Sequence, residues 1–401
     1  MKVPAAGLFF AVALVVVSGQ RQPIPQTPPP VPVPSDVAAG RWRLVYQYDK
    51  SNESLSISDF QILSARRGIA VGDLTQRGSR KEKGVALLTS DGGTTWTAVP
   101  LKSSPNTLFF VDDSTGWLVS GDGVYVTLES GRTWQKLKGA PDEIARVYFK
   151  DRLHGWGFGA KKALFETFDG GRKWTPVLAA ARPASRPEFS AYLWMDFANS
   201  KTGILVGNGR PPRPGSQNDL PPWLDPASAE RRPEWPSVSL FLETHDGGST
   251  WAPKTASLFG AITRLRLLPN GMGLALFEFQ GRFDFPSEVL RLDLTSGRSE
   301  SCLRRRDRAT TDILLTADGT AYAAGYEPPG RINSLPIPGK VRILKSDQPD
   351  RRLWQEMPVD YRAVACRVYL SAPSPDDVWA ATDTGMILKL STGSEPPTAK
   401  H

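Results

Sequence analysis

The residues of this sequence best suited to binding chemistry are arginines. The densest basic run is Arg304-Arg305-Arg306-Asp307-Arg308, and Arg264 and Arg266 alternate along an apolar segment. A guanidinium carries a planar fork of N–H donors that can hold a carboxylate or phosphate by two bonds. Together with a formal net charge of +8, the run indicates a site for an acidic partner. A solvated basic face that keeps the protein soluble is the alternative.

Side chains that carry metal or nucleophilic chemistry do not occur at useful spacings. The three histidines are His154, His245 and the terminal His401, and they form no pattern with Cys or Asp that resembles a ligand set. The sequence also contains no Gly-x-Ser-x-Gly elbow, no phosphate-binding loop and no basic–aromatic nucleic-acid motif. We therefore expect no catalytic residue, no metal, no cofactor and no nucleic-acid partner.

An eight-residue phrase that occurs four times indicates how the chain positions its other residues. The phrase reads Thr-x-acid-x-Gly-x-(Thr/Lys)-Trp, and its copies begin at Thr89, Thr127, Thr167 and Thr244. The acid can accept N–H groups of its own turn, Gly supplies positive φ, and Trp anchors the next strand with an N–H for a polar partner. Each copy is predicted to be a structural turn. The residues assigned to it are Asp91, Gly93, Trp96, Glu129, Gly131, Trp134, Asp169, Gly171, Trp174, Asp246, Gly248 and Trp251.

The spacing of these turns predicts a β-propeller. Trp96, Trp134 and Trp174 recur at intervals of 38 and 40 residues, and four short apolar strands, a to d, fit each interval. The turn lies between strands c and d, and it decays in the fifth and sixth units. Seven units fit the chain if residues 41–46 supply strand d of the seventh, with six or eight units as the alternatives. The predicted fold is all-β, a seven-bladed propeller closed by this N-terminal strand, which also protects strand edges.

The long insertions are predicted to share one end of the propeller. They are Asp73–Gly84, Asn208–Val238, Gln280–Ser287 and Tyr326–Lys340, all between strands b and c and opposite the repeated turns. Loops on a rigid scaffold often carry binding, although loop drift without function is the alternative. The candidate partner-binding residues are Arg264, Arg266, Arg304, Arg305, Arg306, Arg308, Trp223 and Trp235.

The repeated phrase resembles the Asp-box, or bacterial neuraminidase repeat. The unit leading from Val147 through Gly155-Trp156 to Trp174 is similar to blades of the photosystem II assembly and stability factor-like propellers. This resemblance implies an exported, non-enzymatic scaffold that binds a protein partner, with an arginine-rich patch among the contacts. Sialidases are more distant, because the Arg-Ile-Pro motif is missing from residues 57–71. A sialidase-like or other Asp-box glycoside hydrolase, or a glycan-binding propeller, remains the alternative.

The ends of the chain predict export. Residues 1–19 read as a signal peptide, either cleaved or kept as an anchor, and residues 20–40 as a Pro-rich linker. The propeller is expected over residues 41–392 and a disordered tail over 393–401, in a periplasmic or extracellular monomer. Its partner could be a protein, a membrane-protein complex or a glycan. Cys302 and Cys366 could pair in such a compartment, or remain as thiols.

Overall fold

The structure is a computed structural model. It describes residues 40–210, 236–279, 285–329, 331–332, 335–348 and 350–391. For residues 331–332 and 335–336 only the backbone is described. The predicted signal peptide, the linker up to residue 39, the tail, Trp223 and Trp235 all lie outside the described residues. Among the described residues, no helix has the length and apolar character needed to cross a membrane.

The first four blades follow one another along the chain, each as an antiparallel sheet of four strands. Two 3₁₀ helices, Leu178–Ala181 and Pro187–Phe189, connect the third blade to the fourth. The strands of these blades are β2 (Glu53–Ile62), β3 (Gly68–Gln76), β4 (Glu82–Thr89), β5 (Thr97–Pro100), β6 (Pro105–Phe110), β7 (Gly116–Ser120), β8 (Gly123–Thr127), β9 (Gln135–Lys136), β10 (Ile144–Phe149), β11 (Gly155–Gly159), β12 (Leu164–Thr167), β13 (Thr175–Pro176), β14 (Ser190–Phe197), β15 (Gly203–Gly209), β16 (Ser237–Thr244) and β17 (Ala252–Leu258).

The last three blades complete the ring, and the seventh takes its outer strand from the N-terminus. β1 (Arg41–Gln47) pairs antiparallel with β31, with Trp42 opposite Leu390. The predicted seven-bladed, all-β propeller and its closure by an N-terminal strand are confirmed. The remaining strands are β18 (Gly260–Leu267), β19 (Met272–Phe279), β20 (Ser287–Asp293), β21 (Arg298–Arg304), β22 (Ala309–Leu315), β23 (Ala321–Tyr326), the hairpin β24 (Arg331–Ile332) and β25 (Leu335–Pro336), β26 (Gly339–Ser346), β27 (Gln355–Met357), β28 (Val364–Ala365), β29 (Val368–Ser374), β30 (Asp377–Thr382) and β31 (Met386–Ser391).

The hydrophobic core lies between the blades. Six clusters of buried residues each combine side chains of two adjacent blades. In one of them, Trp156 and Phe158 of the third blade pack with Tyr192, Leu205 and Leu240 of the fourth. A strand whose alternate side chains enter two different clusters has both faces covered, so apolar burial stabilises each blade through its neighbours.

Three of the four repeated turns are hydrogen-bonded as their residue types predict, whereas in the copy at Thr127 the acid Glu129 accepts the Thr133 hydroxyl at 2.7 Å. In the first, Asp91 Oδ1 accepts the backbone N–H of Thr95 at 2.9 Å, and Thr89 Oγ1 accepts the N–H of Gly93 at 2.9 Å. The copies around Asp169 and Asp246 repeat both bonds. Bonds from Thr95 hold the pKa of Asp91 at about 2, well below its usual range. The indole N–H groups differ from expectation, since those of all four Trp residues are buried without an acceptor among the described residues.

The glycine of the turn is required by the neighbouring blade. Gly93 has a φ of 86°, and a Cβ built on it would lie 2.4 Å from the ring of Trp379 on β30. A Cβ built on Gly248 would likewise lie 2.3 Å from the ring of Trp156. Each of these turns therefore covers the tryptophan of strand b in the preceding blade.

In the sixth blade, which lacks the phrase, an arginine organises the c–d turn. Arg351 has a φ of 56° and is buried. Its guanidinium donates to the carbonyls of Ser346, Gln348 and Gly319. In the fifth blade, Asp293 Oδ1 accepts the N–H of Thr295 at 2.9 Å.

Two sequence expectations are refined by the structure. Most of the insertion predicted between residues 73 and 84 belongs to a longer hairpin, because β3 runs to Gln76 and β4 starts at Glu82. Cys302 and Cys366 are not joined by a disulfide. The Cys302 thiol donates to the carbonyl of Val289 at 3.3 Å, and burial raises the pKa of this thiol to about 12.

Ring closure can be tested by truncation. Removing residues 1–34 leaves β1 intact, so we expect the remaining chain to melt cooperatively at the temperature of the full chain. Removing residues 1–48 deletes β1, exposes the edge of β31 and empties the buried site of Trp42. We expect this second form to lose its cooperative melting transition by circular dichroism. Identical melting of the two truncated forms would contradict closure by β1.

The contact between a turn and the preceding blade predicts a difference between two glycine substitutions. Gly93→Ala and Gly78→Ala both place a Cβ at positive φ, 86° and 82°, which disfavours either by roughly 1–2 kcal/mol. Space around Gly78 is open, whereas Gly93 meets Trp379. We expect Gly93→Ala to lower the free energy of unfolding by about 1–3 kcal/mol more than Gly78→Ala. Chemical denaturation measures both, and equal losses would show that this contact does not constrain the turn.

Candidate functional site

The predicted arginine run lies between two blades, at the end of the propeller that carries the b–c loops. We call this end the loop face and the opposite end, which carries the repeated turns, the turn face. Arg304 ends β21, and residues 305–308 connect it to β22, so the predicted placement in a d–a connection is confirmed. The run belongs to the loop face because strands a start there and strands d end there.

The first three arginines of the run are exposed, and two of them lie against an aromatic ring. The guanidinium carbons of Arg304 and Arg306 lie 5.1 and 5.2 Å from the ring centre of Phe285. Arg304 also donates to Glu288 at 2.6 Å, and its side chain remains 44% exposed. Arg305 is 50% exposed and contacts Asp307 at 3.2 Å. The three arginines thus present positive charge to solvent beside an apolar ring.

Arg308 occupies a different environment from its neighbours in the run. Its side chain is only 6% exposed and contacts Asp307 at 2.8 Å and Glu356 at 3.1 Å. Glu356 also pairs with Arg342 at 2.6 Å. Arg308 therefore fastens the connection to the sixth blade and does not offer its guanidinium to solvent.

Arg264 and Arg266 lie in the central channel, apart from this exposed group. The guanidinium carbons of both stack on the ring of Trp194, at 4.6 and 4.8 Å from its centre. The Arg264 side chain is 6% exposed, and its Nε lies 3.2 Å from Asp312 Oδ1. The expected single patch is thus divided into a channel pair and an exposed loop-face group. Trp223 and Trp235 lie outside the described residues.

A repeated irregularity in the inner strands aims one side chain of each blade at the channel. In each of the first six blades, the pairing of strands a and b shifts by one residue at the middle of strand a. Such β-bulges re-aim the side chain that follows. The residues directly after the six bulges are Asp59, Thr107, Arg146, Trp194, Arg264 and Asp312.

These channel positions were not all found from sequence, although a signal for them exists. Five of the six were missed, whereas Arg264 was selected for its alternation with Arg266; the missed residues are Asp59, Thr107, Arg146, Trp194 and Asp312. Each of the six residues lies nine positions before a glycine or alanine at the start of strand b in the same blade. Those residues are Gly68, Gly116, Gly155, Gly203, Gly273 and Ala321.

The channel carboxylates link adjacent blades. Asp59 Oδ2 accepts the backbone N–H of Leu108 at 3.0 Å, across the interface between blades 1 and 2. Asp196 bonds Leu267 at 2.8 Å between blades 4 and 5, and Asp312 bonds Leu370 at 2.8 Å between blades 6 and 7. A glycoside hydrolase uses a pair of carboxylates as acid, base or nucleophile. These three carboxylates instead have a structural role, because each satisfies N–H groups of the inner strands.

Exclusion of bulk water shifts the titration of several channel groups. Desolvation raises the pKa of Asp196 to about 6, against the opposing effect of Arg266. It also raises the pKa of Asp59, which is opposed first by Arg146. Desolvation together with the like charge of Arg264 lowers the pKa of Arg146 to about 10. With a pKa of about 10, Arg146 remains charged at neutral pH, whereas Asp196 is half protonated near pH 6.

Histidine and metal chemistry add no site within the described residues. His154 Nε2 lies 2.9 Å from Glu166, and its ring stacks on Phe168 with 4.5 Å between centres. Across the part of the chain that the structure describes, no group of three His, Cys, Asp or Glu residues could hold a metal ion.

Comparisons with known proteins bear on the fold. No protein-family model matches the chain, and no curated protein matches it. Among solved structures, YCF48 bound to D1 peptide shares 15% identity with a TM-score of 0.56, over 88% of this chain and 97% of that one. YCF48 from Cyanidioschyzon merolae shares 14% identity with a TM-score of 0.55, over 87% and 98% of the two chains. The WD40 β-propeller domain of Doa1 shares 10% identity with a TM-score of 0.53, over 88% and 97%. At these identities the likeness shows a shared propeller fold.

The burial of Arg264 predicts that it stabilises the fold. We expect Arg264→Met to lower the free energy of unfolding by about 3–5 kcal/mol, because Asp312 is left buried without its cation. The same substitution at the exposed Arg305 should change that free energy by less than about 0.5 kcal/mol. Chemical denaturation of both variants provides the measurement. Similar stability of the two would contradict the structural role of Arg264.

Proposed function

We propose that this protein is an exported, non-enzymatic propeller scaffold that binds a protein partner through its loop face. Arg304, Arg305 and Arg306 would contact acidic groups of the partner, and Phe285 would supply apolar contact. The observation that carries the proposal is the exposure of three adjacent arginines, two of which lie against one aromatic ring. Arginine and aromatic side chains are enriched at the energetic centres of protein interfaces.

The geometry of the N-terminus supports this choice of face. Arg41 pairs with Ser391, the last residue of β31, and strands c end at the turn face. The chain therefore enters the propeller on the side opposite the exposed arginines. A signal peptide or anchor within residues 1–19, followed by the linker, would leave the loop face accessible to a partner.

The repeated turns and the fold comparison support the family assignment within this proposal. We assign the turns to the Asp-box class because their Thr, Asp and Gly residues form the same bonds in three blades. YCF48 is a propeller of similar fold, and a structure of it contains a D1 peptide. For the present chain we propose a partner with an acidic surface, either a protein or a membrane-protein complex.

A pull-down with matched charge variants tests this proposal. Three baits are compared on native cell envelopes: the full chain, the triple variant Arg304→Ala/Arg305→Ala/Arg306→Ala, and the control Arg66→Ala/Arg132→Ala/Arg172→Ala. The control removes the same charge from exposed residues of the turn face. We expect one protein to be captured by the full chain and the control. The loop-face variant should bind it about ten-fold more weakly, with the difference shrinking as salt rises.

Two outcomes would contradict the proposal. Equal capture by all three baits would show that the loop-face arginines do not bind the partner. Loss of capture by both triple variants would show that binding depends on the overall positive charge of the protein and not on the loop face. Each bait is first checked for an unchanged melting temperature, so that loss of binding is not confused with unfolding.

A further inference from the structure

A cavity occupies the half of the central channel that lies nearer the turn face. Its volume is about 260 Å³, below the several hundred Å³ that is usual for drug-sized ligands. Polar side chains of five blades contribute to its wall, and apolar residues complete it. The polar residues are Asp59, Gln61, Arg146, Tyr148, Trp194, Asp196, Arg266 and Ser371.

The cavity wall contains hydrogen-bond donors that the described residues do not satisfy. A guanidinium has five N–H donors. Within the described part of the chain, that of Arg146 makes no hydrogen bond, and its contact with Asp59 is long, at 3.9 Å. Arg266 donates from Nη1 to the carbonyl of Leu265 at 3.3 Å. The indole N–H of Trp194 likewise has no acceptor among the residues that the structure describes. Several N–H donors of the cavity wall are therefore left without an acceptor among these residues.

The carboxylates beside the cavity are already engaged. Asp59 accepts the N–H of Phe60 at 2.9 Å and that of Leu108 at 3.0 Å, one on each oxygen. Asp196 likewise has one backbone N–H on each oxygen. Turning either carboxylate toward a guanidinium would break an inner-strand bond. The two carboxylates therefore lower the net positive charge of the cavity, but they do not accept hydrogen bonds from the N–H groups of the arginines.

The arginines are held in a fixed orientation. Arg146 and Arg266 stack on the ring of Trp194, with guanidinium carbons 4.7 and 4.8 Å from its centre. Stacking on an aromatic face stabilises a guanidinium by about 0.5–2 kcal/mol and limits its motion. A planar fork that is already ordered loses less entropy when it binds a planar anion.

We propose that this cavity binds the carboxylate of a small organic acid through Arg146 and Arg266, with the indole N–H of Trp194 as a further donor. A planar, singly charged carboxylate fits paired guanidinium forks. A phosphate carries more charge and would be repelled more strongly by Asp59 and Asp196. The site opens toward the turn face, so it is separate from the exposed arginines of the loop face and does not depend on the proposed partner.

Binding is tested on the full chain with defined acids. Sodium acetate, succinate and citrate are compared with sodium chloride at equal ionic strength, by thermal melting and isothermal titration calorimetry. We expect at least one acid to raise the melting temperature in a concentration-dependent way, because a ligand that binds only the folded state stabilises it. Arg146→Gln and Arg266→Gln should each weaken that binding about ten-fold or more. Arg298→Gln, an exposed position on β21, should leave it unchanged.

Further variants keep the test decisive if an arginine variant fails to fold. Trp194→Phe retains an aromatic face for the guanidiniums but removes the indole N–H, and it should also weaken binding. The absence of any acid-dependent shift, or unchanged binding in Arg146→Gln, Arg266→Gln and Trp194→Phe, would overturn the proposal. An acidic peptide is titrated in parallel. Binding of that peptide that is weakened in Arg146→Gln, without binding of any free acid, would assign the cavity to a protein terminus and overturn the small-acid assignment.

Discussion

Each blade of this protein depends on its neighbours, because a four-stranded sheet cannot cover its own two faces. Six buried clusters each combine residues of adjacent blades. The repeated turns serve the same contact, since Gly93 and Gly248 lie against the tryptophans of the preceding blades. Closure by β1 lets the seventh blade share this arrangement, with Trp42 fully buried. Stability is therefore a property of the ring, and a local defect at one interface affects the sheets on both sides.

The channel chemistry follows from the same need to join blades. A bulge in six inner strands directs one side chain per blade inward, and three aspartates use backbone N–H groups of the next blade as partners. These carboxylates require cations nearby, which Arg146, Arg264 and Arg266 supply around Trp194. Arg264 is neutralised by Asp312 and is structural. Arg146 retains unused donors beside a cavity, which makes this arginine the functional candidate in the channel.

The two ends of the propeller are chemically distinct. The loop face presents the exposed Arg304, Arg305 and Arg306, two of them against Phe285, an arrangement that suits a large, acidic partner. The channel cavity near the turn face is small and lined by both polar and apolar side chains, which suits a small organic anion. Arg308 shows why exposure decides between such roles, since Asp307 and Glu356 fix it within the fold although it adjoins the exposed group in sequence. β1 starts at the turn face, opposite the exposed arginines.

The sequence by itself predicted an all-β propeller with seven as the favoured number of blades, the turn between strands c and d in four of them, and the closure of the ring by residues 41–46. It could do so because the turn chemistry of Asp and Gly and the period-two burial of strands are local. It also located the exposed arginine run between β21 and β22. Only the tertiary structure separated Arg264 and Arg308 from the exposed arginines, and only it brought Asp59, Arg146 and Trp194 together. Whether an arginine is exposed or ion-paired depends on residues from other blades, and no local pattern records which inner strands face one another across a channel.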